Sequence, residues 1–310
     1  MDAGNISRRH MLALVPAGLA AGALLAGCKP ESPDAPAADA AAAALAALEA
    51  SAGGRLGVAL LDSATGRTSG HRADERFALC STFKWPLSAV VLHAVEAGKL
   101  TLDRRVPYTA ADLIHHSPVT EENVAKGAMT VAELMAATIT TSDNAAANLL
   151  LPLIGGPAGM TERLRAWGDP VTRLDRFEPE MNLVAKDDPR DTTTPAAMTA
   201  LLRTILFGDA LSPASRAHLI DWGAATSTGA RRLRAGLPAG WRVSNKTGTG
   251  MAPGMASKYN DIAAVTPPEK PPILIAAYYE SAVESDKIRD EDQAVLAAIA
   301  RIAADWVAAG

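Results

Sequence analysis

Strand-forming runs stand at both ends of this chain, and the long stretch between them is helical. Near the start, Leu56 to Leu61 is an apolar run that stops at a turn from Asp62 to Gly66, which predicts a buried strand, and a second strand is expected from Thr68 to Phe77. Near the end, Trp241 to Lys246, Asp261 to Val265 and Ile273 to Tyr279 read as three more. Between them, Leu87 to Glu96, Val131 to Thr138, Asn144 to Leu153, Met160 to Trp167 and Pro195 to Leu206 carry helical periodicity. A helix from Asp39 to Ala52, capped by Asp39 and stopped at Gly53-Gly54, precedes the first strand. A last one carries Val295, Ile299, Ile302 and Trp306 on one stripe, which suits covering a sheet. One sheet fed from both ends implies a discontinuous α/β (α+β) architecture. Its sheet lobe would hold about five antiparallel strands flanked by the N- and C-terminal helices. An all-helical lobe faces it, with a site in the cleft between. The expected boundaries are 39–79 and 224–310 for the sheet lobe and 80–223 for the helical lobe.

The first residues stand outside that scheme. Arg8 and Arg9 precede an apolar stretch that ends at Gly27, the layout of an export signal over residues 1–27 that resembles a twin-arginine signal. Leu25-Ala26-Gly27-Cys28 resembles a lipobox, so Cys28 is expected to carry a lipid anchor; ordinary signal-peptidase cleavage and an uncleaved anchor are the alternatives. Residues 28–38, rich in Pro, Ala, Asp and Ser, read as a flexible tether. A net charge of −4 gives no reason to expect nucleic acid as a partner, and two cysteines cannot build a disulfide framework.

Four short elements carry chemistry. In Ser81-Thr82-Phe83-Lys84, residues three apart at a helix start share a face, so the amine can reach the hydroxyl and activate it as a nucleophile. Alone this pattern is weak, since average composition gives roughly one such match per chain of this size. Ser142-Asp143-Asn144 lies between two helical runs and offers a hydroxyl and an amide, or simply a helix cap. Lys246-Thr247-Gly248-Thr249-Gly250 ends a strand; its ammonium and hydroxyls suit a carboxylate, and Gly248 would let a flat molecule lie against the backbone. A solvated lysine beside a turn is the bland reading. Glu178-Pro179-Glu180-Met181-Asn182 places an acid and an amide four apart, able to share one water, or forms a charged surface loop.

In this order, S-x-x-K, S-D-N and K-T-G resemble the signature of the class A β-lactamases and penicillin-binding proteins. The run Arg173 to Asn182 is similar to the class A Ω-loop, with Asp191-Thr192-Thr193-Thr194-Pro195 as its exit, and the likeness spans about Leu56 to Trp306. The resemblance implies a serine hydrolase that opens β-lactams and confers resistance to them, periplasmic and monomeric, without metal or cofactor. It makes Ser81 the nucleophile, Lys84 its proton partner and Ser142 the donor to the departing nitrogen. Glu178 would activate the deacylating water that Asn182 helps to hold; whether Lys84 or Glu178 is the acylation base stays open. Asn144 would contact the substrate amide, and Lys246, Thr247 and Thr249 its carboxylate. Backbone N–H groups of Ser81 and Thr249 would form the oxyanion hole. Arg232 is either a further carboxylate contact or a surface arginine, and His115 or His116 stands at the cleft rim or is an ordinary exposed histidine. Arg176 and Asp191 would close the Ω-loop at its neck.

The chain departs from the pattern in four places. Asn245 precedes Lys246 where many members carry Asp, which removes a nearby charge. Pro86 falls early in the nucleophile helix. The stretch Met251 to Tyr259 is longer than usual, by about four residues against the family pattern of that motif. Cys80 faces Gly250 where some carbapenem-hydrolysing relatives carry a second cysteine, so Cys80 is expected to be a free, buried thiol. Two rivals share the acylation chemistry: a D,D-peptidase, which has no need of the Glu178 to Asn182 element, and a penicillin-sensing domain that stays acylated. A Ser-His-Asp hydrolase lacks its G-x-S-x-G elbow here, and a zinc enzyme lacks an H-x-H pair.

Overall fold

The computed structural model describes Met1 and residues 35–310. The export signal, the Arg8–Arg9 pair, Cys28 and the first part of the expected tether lie outside the described residues. Five strands form one antiparallel sheet: β1 (Arg55–Asp62), β2 (Thr68–His71), β3 (Arg242–Gly250), β4 (Lys258–Thr266) and β5 (Ile273–Glu280). Their order across the sheet is β2-β1-β5-β4-β3, so the two ends of the chain do build one sheet. The longer helices are α1 (Ala35–Ala52), α2 (Lys84–Glu96), α3 (Val131–Thr140), α4 (Asn144–Leu150), α5 (Gly156–Ala166), α6 (Pro195–Phe207), α7 (Pro213–Ala224) and α8 (Asp290–Ala308).

Side chains alternate across a strand, and here both faces are buried. Ile262, Ala264, Leu274, Ala276 and Tyr278 point into a core shared with α2, α3 and α6. Their neighbours Tyr259, Ala263, Val265, Ile273, Ile275, Ala277 and Tyr279 point into a second core with Leu45 of α1 and Ile299 and Trp306 of α8. Burying one such aliphatic side chain contributes about 2 kcal/mol, so the sheet is clamped on both sides and makes a stiff wall for whatever β3 displays.

Element bounds differ from the sequence reading in ways that have local causes. Helix α1 begins at Ala35, not Asp39, and takes residues 35–38 out of the expected tether; Pro36 sits in its first turn, where a missing N–H costs nothing. The second strand ends at His71 because Arg72 turns to a φ of 45°, and Phe77–Ala78 pairs instead with Thr192–Thr193. Lys246-Thr247-Gly248 lies inside β3 rather than at its end, since pairing with β4 continues to Gly250 opposite Lys258. Helix α7 escaped the periodicity reading, although Ser212 caps it by accepting from the Ser215 N–H.

Candidate active site

A tight turn of 3-10 helix, Cys80–Phe83, leads into α2, and this places Ser81 and Lys84 on adjacent turns of one face. Pro86 is the third residue of α2, in its first turn, where a missing N–H costs little. Lys84 Nζ donates to Ser81 Oγ at 3.0 Å, to the Ser142 carbonyl at 2.7 Å and to Asn144 Oδ1. It also stands 3.3 Å from Glu178 Oε1, with both side chains fully buried. Burial pushes the Lys84 amine below its ordinary pKa, and the Glu178 carboxylate works in the other direction. Ser81 Oγ in turn lies 3.4 Å from Glu178 Oε1, so one hydroxyl is within reach of two bases.

Glu178 reaches this point from the Ω-loop. Asn148 on α4 grips it from both sides, accepting from the Glu178 N–H at 3.0 Å and donating to its carbonyl at 2.8 Å, beside a cis Glu178–Pro179 bond. Asn182 Nδ2 donates to Glu178 Oε2 at 2.5 Å, and Asn182 Oδ1 is buried with no partner among the described residues. At the loop's neck Arg176 Nε donates to Asp191 at 2.6 Å, while Asp191 also accepts from the N–H groups of Asp175 and Arg176.

The third element presents its serine through a left-handed residue, Ser142 at a φ of 63°. Asp143 holds the turn by capping α4 at the Ala146 N–H and by accepting from Val119 and Thr120. The result is that Ser142 Oγ sits between two ammonium groups, 3.4 Å from Lys84 Nζ and 2.9 Å from Lys246 Nζ. Both ends of the Asn144 amide are engaged, by Lys84 and by the His115 carbonyl at 2.9 Å. His116 is exposed and its ring meets the Thr141 carbonyl at 2.9 Å.

The facing wall is β3. Lys246 is wholly buried, and among the described residues its Nζ bonds only Ser142 Oγ and the Thr247 carbonyl. Burial first, and the Lys84 ammonium second, push it well below its ordinary pKa. Thr247 Oγ1 meets Thr228 Oγ1 at 2.8 Å. Arg232 is buried, not a surface arginine: it donates to the carbonyls of Gly248 and Asn260 and, at 2.6 Å, to Thr249 Oγ1. A Cβ on Gly248 would stand 3.0 Å from the Leu79 carbonyl and 3.2 Å from Ser81 N, so this glycine seats β3 against the nucleophile's own backbone.

Similarity to known proteins agrees with this geometry. Residues 40–307 match the model of the β-lactamase enzyme family. A β-lactamase L2 of Stenotrophomonas maltophilia is 49% identical over 82% of each chain, and a β-lactamase CTX-M-8 of Citrobacter amalonaticus is 45% identical over 83% of this chain and 86% of its own. Among solved structures, a class A β-lactamase representing the last common ancestor of Gram-negative bacteria superposes with a TM-score of 0.81 at 58% identity, covering 87% of this chain and 99% of that one. The chain belongs to the class A β-lactamases. It is accordingly a serine hydrolase of β-lactams, with the mixed α/β fold of that family.

Against the class A pattern, two departures now have explanations. Cys80 is a free, buried thiol pushed up to about 12 by its surroundings, and a Cβ on Gly250 would stand 2.9 Å from its sulfur. The charge expected to be missing at Asn245 is supplied from the next strand. Asn245 Nδ2 donates to Asp261 Oδ1 at 2.9 Å, with Asp261 on β4 fully buried and its carboxyl pushed up to about 6 by burial. Sequence reading missed Asn148, Thr228 and Asp261 as parts of this site, since each acts across the fold rather than within a motif.

Proposed function

We propose that this β-lactamase works through a Ser81 acyl-enzyme, with Lys84, Ser142 and Glu178 moving the protons. The observation that carries the reading is the Ser81 hydroxyl, held at 3.0 Å by Lys84 Nζ and at 3.4 Å by Glu178 Oε1. In acylation the Ser81 oxygen attacks the lactam carbonyl as its proton passes to Lys84 or Glu178. The N–H groups of Ser81 and Thr249 take the charge that develops on the carbonyl oxygen. The C–N bond then breaks, and Ser142 Oγ gives its proton to the nitrogen, with the two ammonium groups beside it able to replace that proton.

In deacylation a water between Glu178 and Asn182 loses its proton to Glu178 and attacks the ester, the bond from the acyl carbon to the Ser81 oxygen breaks, and that oxygen takes a proton back from Lys84 or Glu178. The unpartnered Asn182 Oδ1 is an acceptor suited to that water. Lys246, Thr247 and Thr249 take the substrate carboxylate, and Arg232 orients the Thr249 hydroxyl rather than reaching outward. Asn144 spans Lys84 and the substrate amide, and His116 stands on the rim. The cleft divides a sheet lobe (39–79 and 224–310) from a helical lobe (80–223).

Benzylpenicillin mixed with the enzyme, with intact mass and substrate loss followed together, tests the reading. Rapid loss with a transient adduct, absent in Ser81→Ala and trapped in Glu178→Ala, is expected. Full turnover by Glu178→Ala would remove that residue from deacylation, and a permanent adduct on the unaltered enzyme would favour the penicillin-sensing alternative.

The destination of the chain belongs to the same proposal. The Arg8–Arg9 pair and the apolar stretch to Gly27 support export to the periplasm, and Leu25-Ala26-Gly27-Cys28 supports a lipid on Cys28. Among the described residues no helix is long and apolar enough to cross a membrane.

A further inference from the structure

A cavity of about 890 Å³ lies between Ω-loop residues 184–188 and residues 254–256, the segment that lengthens the β3–β4 connection. Its wall is fixed. The Gly254 N–H donates to Glu284 at 2.7 Å, and Ser257 and Ser285 exchange hydrogen bonds at 3.2 and 3.0 Å. Lys258, the first residue of β4, lines this space with only 5% of its surface exposed.

The stem of Lys258 is packed away, its ammonium opens onto the cavity, and a cation so placed is best matched by an anion. Among the described residues no carboxylate lies within ion-pair distance of Lys258 and no acceptor bonds it. The cross-strand position opposite Lys258 is Glu280, but that carboxylate is taken by Arg55, at 2.9 and 3.0 Å. Arg55 also occupies Glu75 at 3.2 Å, and Asp188 is paired with Arg190. Asp187 remains, on the exposed Ω-loop. A second cation of the lining, Arg76, bonds only the Val171 carbonyl and the Thr192 hydroxyl. The acids of the wall are thus largely spent on other partners, while Lys258, Arg76 and the exposed Lys186 have no ion-pair partner among the described residues.

We propose that this cavity is a carboxylate-binding pocket with Lys258 as its fixed cation. Its carboxylate comes from the far end of a substrate's acyl side chain or from a free organic acid. The first source rests on the catalytic reading above, which puts the substrate between the Ω-loop residues Glu178 and Asn182 and the β3 strand. The cavity lining begins two residues beyond Asn182 on the Ω-loop, at Val184. On the strand side, a Cβ at Gly250 would touch Lys258 Cδ at 3.4 Å and Cys80 Sγ at 2.9 Å, so Lys258 packs one residue away from the nucleophile.

A matched pair of cephalosporins separates charge from shape, one acylated with a glutaryl chain and the other with its neutral glutaramide. The unaltered enzyme is expected to favour the glutaryl compound by about tenfold in kcat/KM, the size of one screened charge contact. Lys258→Met should bring the ratio near one, and Lys258→Arg should restore it. In parallel, calorimetric titration with free glutarate reads the second source. Lys258-dependent glutarate binding without discrimination between the cephalosporins assigns the pocket to a free acid. A ratio near one together with no Lys258-dependent glutarate binding overturns the proposal. If neither cephalosporin is hydrolysed, the catalytic reading fails, and the glutarate titration still decides the pocket.

Discussion

Two lysines are buried in the same cleft and are treated in opposite ways. Lys84 has a carboxylate 3.3 Å away and four oxygen neighbours, so its charge is compensated and its proton has somewhere to go. Lys246 is buried as deeply but bonds only a hydroxyl and a carbonyl, with Asp261 acting on it from the neighbouring strand. A compensated ammonium is suited to proton transfer, whereas an uncompensated one awaits an anion from outside. On the proposed mechanism, the helical wall would carry the chemistry and the strand wall the recognition.

The largest effect should come from Lys84→Met. Losing a positioned proton carrier is expected to lower kcat for benzylpenicillin by roughly 10³-fold, and the orphaned Glu178 should cost about 3 kcal/mol of stability. A kcat within tenfold of the parent would break the contrast. Lys246→Met should act differently, raising KM for substrates with a carboxylate by about 10²-fold, the worth of one charged hydrogen-bonded contact. Because its charge is uncompensated, the same variant should keep or raise the melting temperature. If both variants lose stability alike, the two lysines are not treated differently after all.

How much of this was legible in the sequence follows the same divide. Ser81, Lys84, Ser142, Glu178 and Lys246 announce themselves because each motif sits within one turn or one strand, where spacing alone sets geometry. The fold class was legible for a similar reason, since apolar runs at both ends leave few ways to pair. The supports were not legible. Asn148 grips Glu178 from 30 residues away, and Asp261 reaches Asn245 only through the register that sets Thr247 opposite Asp261. Arg232 could be read either as a carboxylate contact or as a surface arginine among three, and its burial depends on the carbonyls of Gly248 and Asn260 converging on it. Gly248 was read for its closeness to substrate, but its tightest neighbours are the backbone atoms of Leu79 and Ser81.

Asp261 gives the smallest effect and the finest test of the contrast. Its carboxyl is pushed up to about 6 from an ordinary 3.8, so the folded state holds a proton that the unfolded chain has released over that interval. The raised value stabilises the fold fully below about pH 3.8, and that contribution is lost as pH rises through about 6, amounting to roughly 3 kcal/mol. Asp261→Asn keeps an acceptor for the Asn245 amide but cannot titrate. Urea unfolding of both proteins from pH 4 to pH 7 should therefore give curves that diverge, the parent losing stability relative to the variant as pH rises. Parallel curves would mean that Asp261 ionises as freely in the fold as outside it. Above pH 6 the ionised carboxylate also supports the Lys246 ammonium, so in Asp261→Asn the alkaline rise in KM should begin at lower pH. An unchanged alkaline limb would leave Lys246 supported by its substrate alone, and the strand wall would then owe nothing to the carboxylate behind it.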